Sequence, residues 1–266
     1  MNLSSQESEF LTRLAAKGKS IISTHEAEKM WQGSTPVSLV LHRLEKKGWL
    51  HRLDRGVYLL IPLEAGPERF WSESPLVIAS HLIEPAAVAY WSALLYWQMT
   101  EQLPRITFVQ STKRKRPMEI QGMPFQFVMV KNDRFFGIVE RQVNDKKFRI
   151  TDREKTLIDC ADRPDLSGGI AQLNQALKNE YTQVDWGKVD DYFERWGGGT
   201  VIKRIGYLVD ALGVPVPERE KRLNRWKASL TRGISLLEPG AGKDGPIVTS
   251  WKIRVNIHNL TALGEG

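Results

Sequence analysis

Cysteine is nearly absent. Cys160 is the single one in 266 residues, so no internal disulfide can form, and neither a Cys-rich zinc site nor a CxxC redox motif exists. A reducing, cytoplasmic compartment is expected. Histidine is scarce as well. His25, His42, His51, His81 and His258 form no HExxH or HxxxH pair, so no metal is expected. The G-x-S-x-G pattern of a serine hydrolase is missing, as are internal repeats and low-complexity tracts. No uninterrupted apolar run is suited to a membrane. The most apolar window, residues 76–97, carries His81, Glu84 and Pro85 near its middle, and burying them in lipid costs several kcal/mol. Two soluble helices broken at Pro85 are predicted there, and no membrane partner. The stretch from Met1 to Glu7 has neither a basic n-region nor an apolar h-region, so no signal peptide is expected.

What is present suits a soluble globular chain. At ~150 residues per domain the length predicts about two domains, and hydrophobic residues at 41% can fill their cores. The net charge is +7 with a pI of about 9.4, and it is unevenly spread. Residues 1–62, 103–155 and 216–266 are net basic, whereas 63–102 and 156–215 are net acidic. Alternating blocks suit a polyanion on one face and a different contact on another.

The first 62 residues have a readable order. Phe10, Leu11, Leu14 and Ala15 mark a helix over 5–17 ended by Gly18. Ser20 to Ser23 is a short β-branched strand, and Thr24 is the expected N-cap of a helix that Gly33 breaks. Ser34 or Thr35 is expected to cap the next helix, 35–47, with Pro36 in its first turn and Val37, Val40, Leu41 and Leu44 as its buried stripe. Residues 49–53 and 57–61 read as strands joined by Asp54, Arg55 and Gly56. Helix, strand, helix, turn, helix, hairpin is the order of a winged helix-turn-helix. The predicted fold is α+β: that domain at 1–62, a linker at 63–75 in which Phe70 and Trp71 pack, and a mixed α/β domain at 76–266. The second domain is expected to have strands near 105–110, 119–121, 125–130, 136–143 and 148–150. Helices follow near 152–160, 170–180, 186–196 and 200–212. The segment 216–266 reads as a basic helix and a C-terminal hairpin, and the core of 76–266 is expected to be independent of the wing.

Opposite the stripe of the 35–47 helix lie Ser34, Thr35, Ser38, His42, Arg43 and Lys46. A recognition helix brings such groups to base edges and phosphates. Arg52 and Arg55 decorate the hairpin, where a wing touches the DNA backbone or the minor groove. The densest cationic run, Lys113, Arg114, Lys115 and Arg116, lies in an expected loop. It reads equally as a nucleic-acid clamp, as a docking patch for an acidic partner, or as a solvated loop. Gly240, Gly242 and Gly245 spell G-x-G-x-x-G, but Pro239 precedes them and Pro246 follows, so a turn is expected rather than a nucleotide site. Gly197 to Thr200 lacks the G-K-[ST] ending of a P-loop and reads as a turn between helices. Cys160 sits inside an amphipathic helix as a buried thiol. The acidic pairs Asp159/Asp162 and Asp190/Asp191 read as capping, dipole or solvated groups. No catalytic residue and no cofactor is assigned.

Several short motifs follow in order: Ala89 to Leu94 (AYWSAL), Thr100 to Pro104 (TEQLP), Thr151 to Asp159 (TDREKTLID), then Arg163-Pro164 and Gly168-Gly169. With the N-terminal domain before them, they resemble the AbiEi-type antitoxins of type IV toxin–antitoxin systems, which act in abortive phage infection. The resemblance runs over residues 5–215. It implies a winged helix that binds inverted repeats in double-stranded operator DNA and represses its own operon. It also implies a C-terminal domain that counters a nucleotidyltransferase-like toxin without a stable complex. Ser34, Thr35, Ser38, Arg43 and Lys46 take the recognition-helix role by position. Three rival readings stand beside it. One is a stand-alone winged-helix regulator. Another is a DNA-directed nuclease-like enzyme using Glu140, Asp145 and Lys147. The third is a repressor with a ligand pocket lined by Trp91, Tyr96 and Trp97.

Overall fold

The computed structural model describes residues 3–197 and 199–257; Gly198 and His258 lie outside the described residues. Helix α1 (Ser5–Ala16) begins at a reciprocal cap. Ser4 Oγ accepts from the Glu7 N–H at 3.2 Å, and Glu7 Oε2 accepts from the Ser4 N–H at 2.8 Å, satisfying two otherwise orphaned donors. After strand β1 (Ile21–Ser23), the same device opens α2 (Thr24–Met30) with Ser23 and Glu26. The cap is therefore Ser23, not Thr24. Thr24 instead gives both its N–H (2.8 Å) and its hydroxyl (3.3 Å) to the Gly56 carbonyl.

Helix α3 (Val37–Lys46) has Pro36 as its N-cap, and neither Ser34 nor Thr35 caps it. Both residues belong to the loop before the helix, where the Trp31 indole N–H donates to the Thr35 carbonyl at 2.8 Å. The stripe of Val37, Val40, Leu41 and Leu44 is buried as expected. Strands β2 (Leu50–Asp54) and β3 (Val57–Leu60) complete an antiparallel sheet of order β1-β3-β2. Gly56 turns the hairpin at φ +73°, where a side chain would be strained.

This small sheet is buried on both faces. Ile22, Leu50 and Tyr58 face the core of α1, α2 and α3. Their neighbours Ile21, Leu53 and Leu59 join the larger core of the rest of the chain. Successive strand residues point to opposite faces, so pairs such as Ile21-Ile22 and Tyr58-Leu59 serve one core each.

Beyond a 3-10 turn at Leu63–Ala65, Trp71 packs against the main core while Phe70 is 85% exposed. The expectation that both pack is corrected for Phe70. Helices α4 (Pro75–Leu82) and α5 (Tyr90–Tyr96) form, but strand β4 (Ala87–Val88) lies between them. Ala86 to Ala89 are fully buried, and a short continuous apolar run has no period that separates strand from helix. The five expected strands appear as β5 (Thr107–Ser111), β6 (Met118–Ile120), β7 (Met123–Met129), β8 (Ile138–Val143) and β9 (Lys146–Thr151). With β4 they form a mixed sheet of order β6-β7-β5-β4-β9-β8, in which β5/β7 and β4/β9 are parallel.

Asp152 caps α6 (Arg153–Asp162), accepting from the Lys155 N–H at 2.8 Å. Then come α7 (Ile170–Glu180), α8 (Trp186–Trp196), α9 (Thr200–Ala211) and α10 (Arg219–Ala228). The tail is more than a hairpin. β10 (Ser235–Leu236), β11 (Ile247–Val248) and β12 (Ile253–Arg254) pair in the order β10-β12-β11, with β10 parallel to β12. Asn256 organises the loop after β10: its side chain donates to the Glu238 and Gly242 carbonyls at 2.7 and 2.6 Å and accepts from the Glu238 N–H at 3.0 Å.

Candidate nucleic-acid interface

The outward side of α3 carries Ser38, Leu39, His42, Arg43 and Lys46, all exposed. Ser34 is exposed in the loop before it, while Thr35 is half-buried with its carbonyl engaged by Trp31. Leu39, 54% exposed, was missing from the expected set. Its signal was legible, since it lies off the Val37/Val40/Leu41/Leu44 stripe. An exposed aliphatic group there suits apolar contact with a thymine methyl.

Glu7 was also missed. It is only 2% exposed and bridges α1 to the end of α3, with Lys47 Nζ at 2.7 Å and Arg43 Nε at 3.8 Å. Burial alone would raise the Glu7 pKa. The Lys47 and Ser4 hydrogen bonds outweigh it and hold the carboxyl below its usual range. The sequence signal is the S-x-x-E box at Ser4, which places Glu7 in the first turn but does not announce its partners. His42 Nδ1 lies 3.9 Å from Glu45. Lys46 makes no ion pair among the described residues.

On the hairpin, Arg55 is exposed at the turn and Arg52 is exposed with its Nε 3.3 Å from the Asp54 carbonyl. The cationic run at residues 113–116 is not uniformly solvated. Lys113, Arg114 and Arg116 are exposed, but Lys115 is mostly covered. It makes an ion pair with Asp54 of the hairpin turn and stands 5.6 Å from the Phe127 ring centre. Burial would raise the Asp54 pKa, but the Lys115 hydrogen bond and the Arg55 N–H bring it below its usual value. The structure thus brings Arg52, Arg55 and the β5–β6 loop side by side, though the sequence separates them by some sixty residues.

The rival constellations sit elsewhere. Glu140 and Lys147 pair at 2.6 Å across β8/β9, both more than half exposed, and Asp145 is in the turn between those strands with φ +61°. Trp97 donates to the Thr151 carbonyl at 2.8 Å, and Tyr96 packs edge-on against Trp97 and Phe148, so these rings belong to the core. Cys160 is fully buried, and burial pushes its thiol pKa up. Asp159 is not solvated: it is buried in an ion pair with Lys155. Asp190 is half-way along α8, bound by Arg222 at 3.1 Å and by the Trp226 indole at 2.7 Å. Among the described residues, no three His, Cys, Asp or Glu side chains are grouped to hold a metal, and no helix is long and apolar enough to cross a membrane.

Comparison with known proteins bears on the N-terminal part. Residues 9–61 match the family model described as transcriptional regulator, AbiEi antitoxin. The AbiEi resemblance holds there. The AbiEi-type segment spans most of α1 and all of α2, α3 and the hairpin, the elements that carry the candidate interface. Among curated proteins no relative matches. Among solved structures, the crystal structure of RV2827C protein from Mycobacterium tuberculosis superposes with a TM-score of 0.63 at 15% identity, covering 95% of this chain and 92% of that one. At that identity the likeness is one of fold, and it extends over the α+β part as well as the AbiEi-type segment.

Proposed function

We propose that this chain is a cytoplasmic antitoxin and autorepressor. Its α3 helix enters the major groove of double-stranded operator DNA, its hairpin lies on the adjacent backbone, and two copies occupy the halves of an inverted repeat. The rest of the molecule counters a nucleotidyltransferase-like toxin without a stable complex. The observation that carries the DNA reading is the two-sidedness of α3. One stripe is fully committed to the core, and the other presents a hydroxyl, an aliphatic group, an imidazole and two cations on the same N-terminal unit as the exposed Arg52 and Arg55. Base edges and phosphates are recognised by such a mixture of hydroxyl, apolar and cationic groups.

Gel-shift titration on the chain's own promoter tests it. Lys46→Ala should weaken binding on all duplexes alike and lower the salt slope by about 0.9. Arg43→Ala should cost roughly 5- to 150-fold and relax sequence choice, with the fold kept, because Glu7 retains Lys47. Unchanged affinity in both variants would refute the placement of α3. For the second role, co-expression of this chain with a nucleotidyltransferase-like toxin encoded in the same operon should restore growth to cells that the toxin arrests. Continued arrest in cells that hold soluble, DNA-binding protein would separate repressor from antitoxin.

A further inference from the structure

The β5–β6 loop is anchored at its base. Ser111 Oγ donates to the Pro85 carbonyl at 2.6 Å and accepts from the Lys113 N–H at 3.1 Å. From that base the loop presents four cations in succession, and they divide in their use. Lys115 turns inward to Asp54 on the hairpin turn. Lys113, Arg114 and Arg116 stay exposed and make no ion pair with the described residues. Three like charges close together along the chain repel one another, and among the described residues no carboxylate pairs with them. On the hairpin the situation is complementary. Asp54 is the carboxylate of the turn, next to Arg55 and two residues from Arg52, and an unpaired carboxylate there would repel any phosphate the two arginines attract.

Resting on the reading of α3 and the hairpin as a DNA-binding face, we infer that the β5–β6 loop is a second DNA-backbone contact, supplied by the α+β part of the molecule. Lys115 is its positioning residue. It neutralises Asp54, so that the hairpin turn presents only positive charge. By the same bond it holds Lys113, Arg114 and Arg116 beside Arg52 and Arg55 as one continuous strip. The partner is the phosphate backbone of duplex DNA, because the strip offers cations and no fixed array aimed at base edges. The contact therefore adds affinity without sequence choice.

The experiment measures fluorescence anisotropy of labelled operator and scrambled duplexes across a salt series, using the full chain. The Lys113→Ala/Arg114→Ala/Arg116→Ala variant should show a salt slope shallower by up to about 2.7, at 0.9 per lost phosphate contact, with the same fold-loss on both duplexes. Lys115→Met should weaken binding at low salt, and adding Asp54→Asn to it should restore most of the loss, since the masked charge is then gone. A triple variant with wild-type melting and an unchanged slope would overturn the loop contact. So would a triple variant that binds both duplexes normally but no longer rescues growth, which would assign the loop to a protein partner. A Lys115→Met variant that Asp54→Asn fails to rescue would overturn the masking. If the wild-type chain binds no duplex, the α3 reading itself falls. If it binds and Arg43→Ala weakens it while the triple variant does not, only the loop is wrong.

Discussion

Lys155 and Asp159 are the most consequential pair at the scale of single residues. They stand one turn apart on α6, at 0% and 1% side-chain exposure. Burial pushes the Asp159 carboxyl up, against the pull of Lys155, and the Lys155 ammonium lies 5.0 and 5.2 Å from the Phe136 and Trp196 rings. Removing one partner leaves a buried charge unpaired, so Asp159→Ala should lower unfolding free energy by about 3–5 kcal/mol in urea titration. The double change Lys155→Met/Asp159→Leu should recover most of it, because an apolar pair of similar size carries no desolvation cost. Gly245 makes the same point through space alone. A Cβ there would meet the Val255 carbonyl at 2.1 Å, so close packing explains this glycine of the G-x-G-x-x-G string without a nucleotide. Gly245→Ala should lower the melting temperature and loosen the tail, measurable as faster amide exchange at residues 253–256.

Among the elements, α2 is the one most dependent on its ends. It is seven residues long with Ala27 as its buried residue, too short to persist on propensity. Its capping box and the ion pair from Lys19 to Glu26 hold it. Ser23→Ala should cost about 1 kcal/mol. The same box sets a pH dependence. Burial would raise the Glu26 pKa, but Lys19 and Ser23 bring it from 4.5 to about 2. The unfolded chain therefore binds the proton first as pH falls, so the stabilisation is complete above about pH 4.5 and fades between there and about pH 2. In acid titration followed by circular dichroism, Glu26→Gln should flatten that limb of the stability curve, since Gln does not titrate. Wild-type steepness in the variant would place the acid sensitivity at the other carboxyls held below their usual range, such as Glu7, Asp54, Asp165 and Asp210.

For the molecule as a whole, the three-stranded sheet is the joint. Residues 63–75 connect the two parts along the chain, yet Ile21, Leu53, Leu59 and Ile61 bury into the larger core. Lys146 reaches back to the Gly18 carbonyl at 2.6 Å and Gln121 to the Trp71 carbonyl at 3.0 Å. The division at 1–62, 63–75 and 76–266 is thus a proposal about folding units that this shared face puts to a sharp test. Leu59→Ala, which empties a fully buried position, should cost about 2–5 kcal/mol. If the parts unfold as one, tryptophan fluorescence and helical ellipticity should still move together in a single transition. Two separated transitions would show that the joint is not cooperative.

The local features were legible from residue order. The stripe of α3 declared which side of that helix is free, and with it Ser38, His42, Arg43 and Lys46. Asp54, Arg55 and Gly56 declared the hairpin, and the spacing of Phe10, Leu11 and Leu14 declared the first helix. These are properties of neighbours within four residues, where periodicity and turn chemistry act directly. Only the tertiary structure decided the rest. Strand β4 hid in an all-apolar run, because burial on every side erases the period that marks a strand. The parallel pairing of β10 with β12 joins residues 18 apart in the chain, Ser235 with Ile253 and Leu236 with Arg254, a separation at which no local period acts. The cation that masks the hairpin's carboxylate comes from residue 115, 61 positions beyond Asp54. Charge along a chain shows how many cations there are. Which of them remain free for a polyanion is settled by the carboxylates that folding brings within hydrogen-bonding distance.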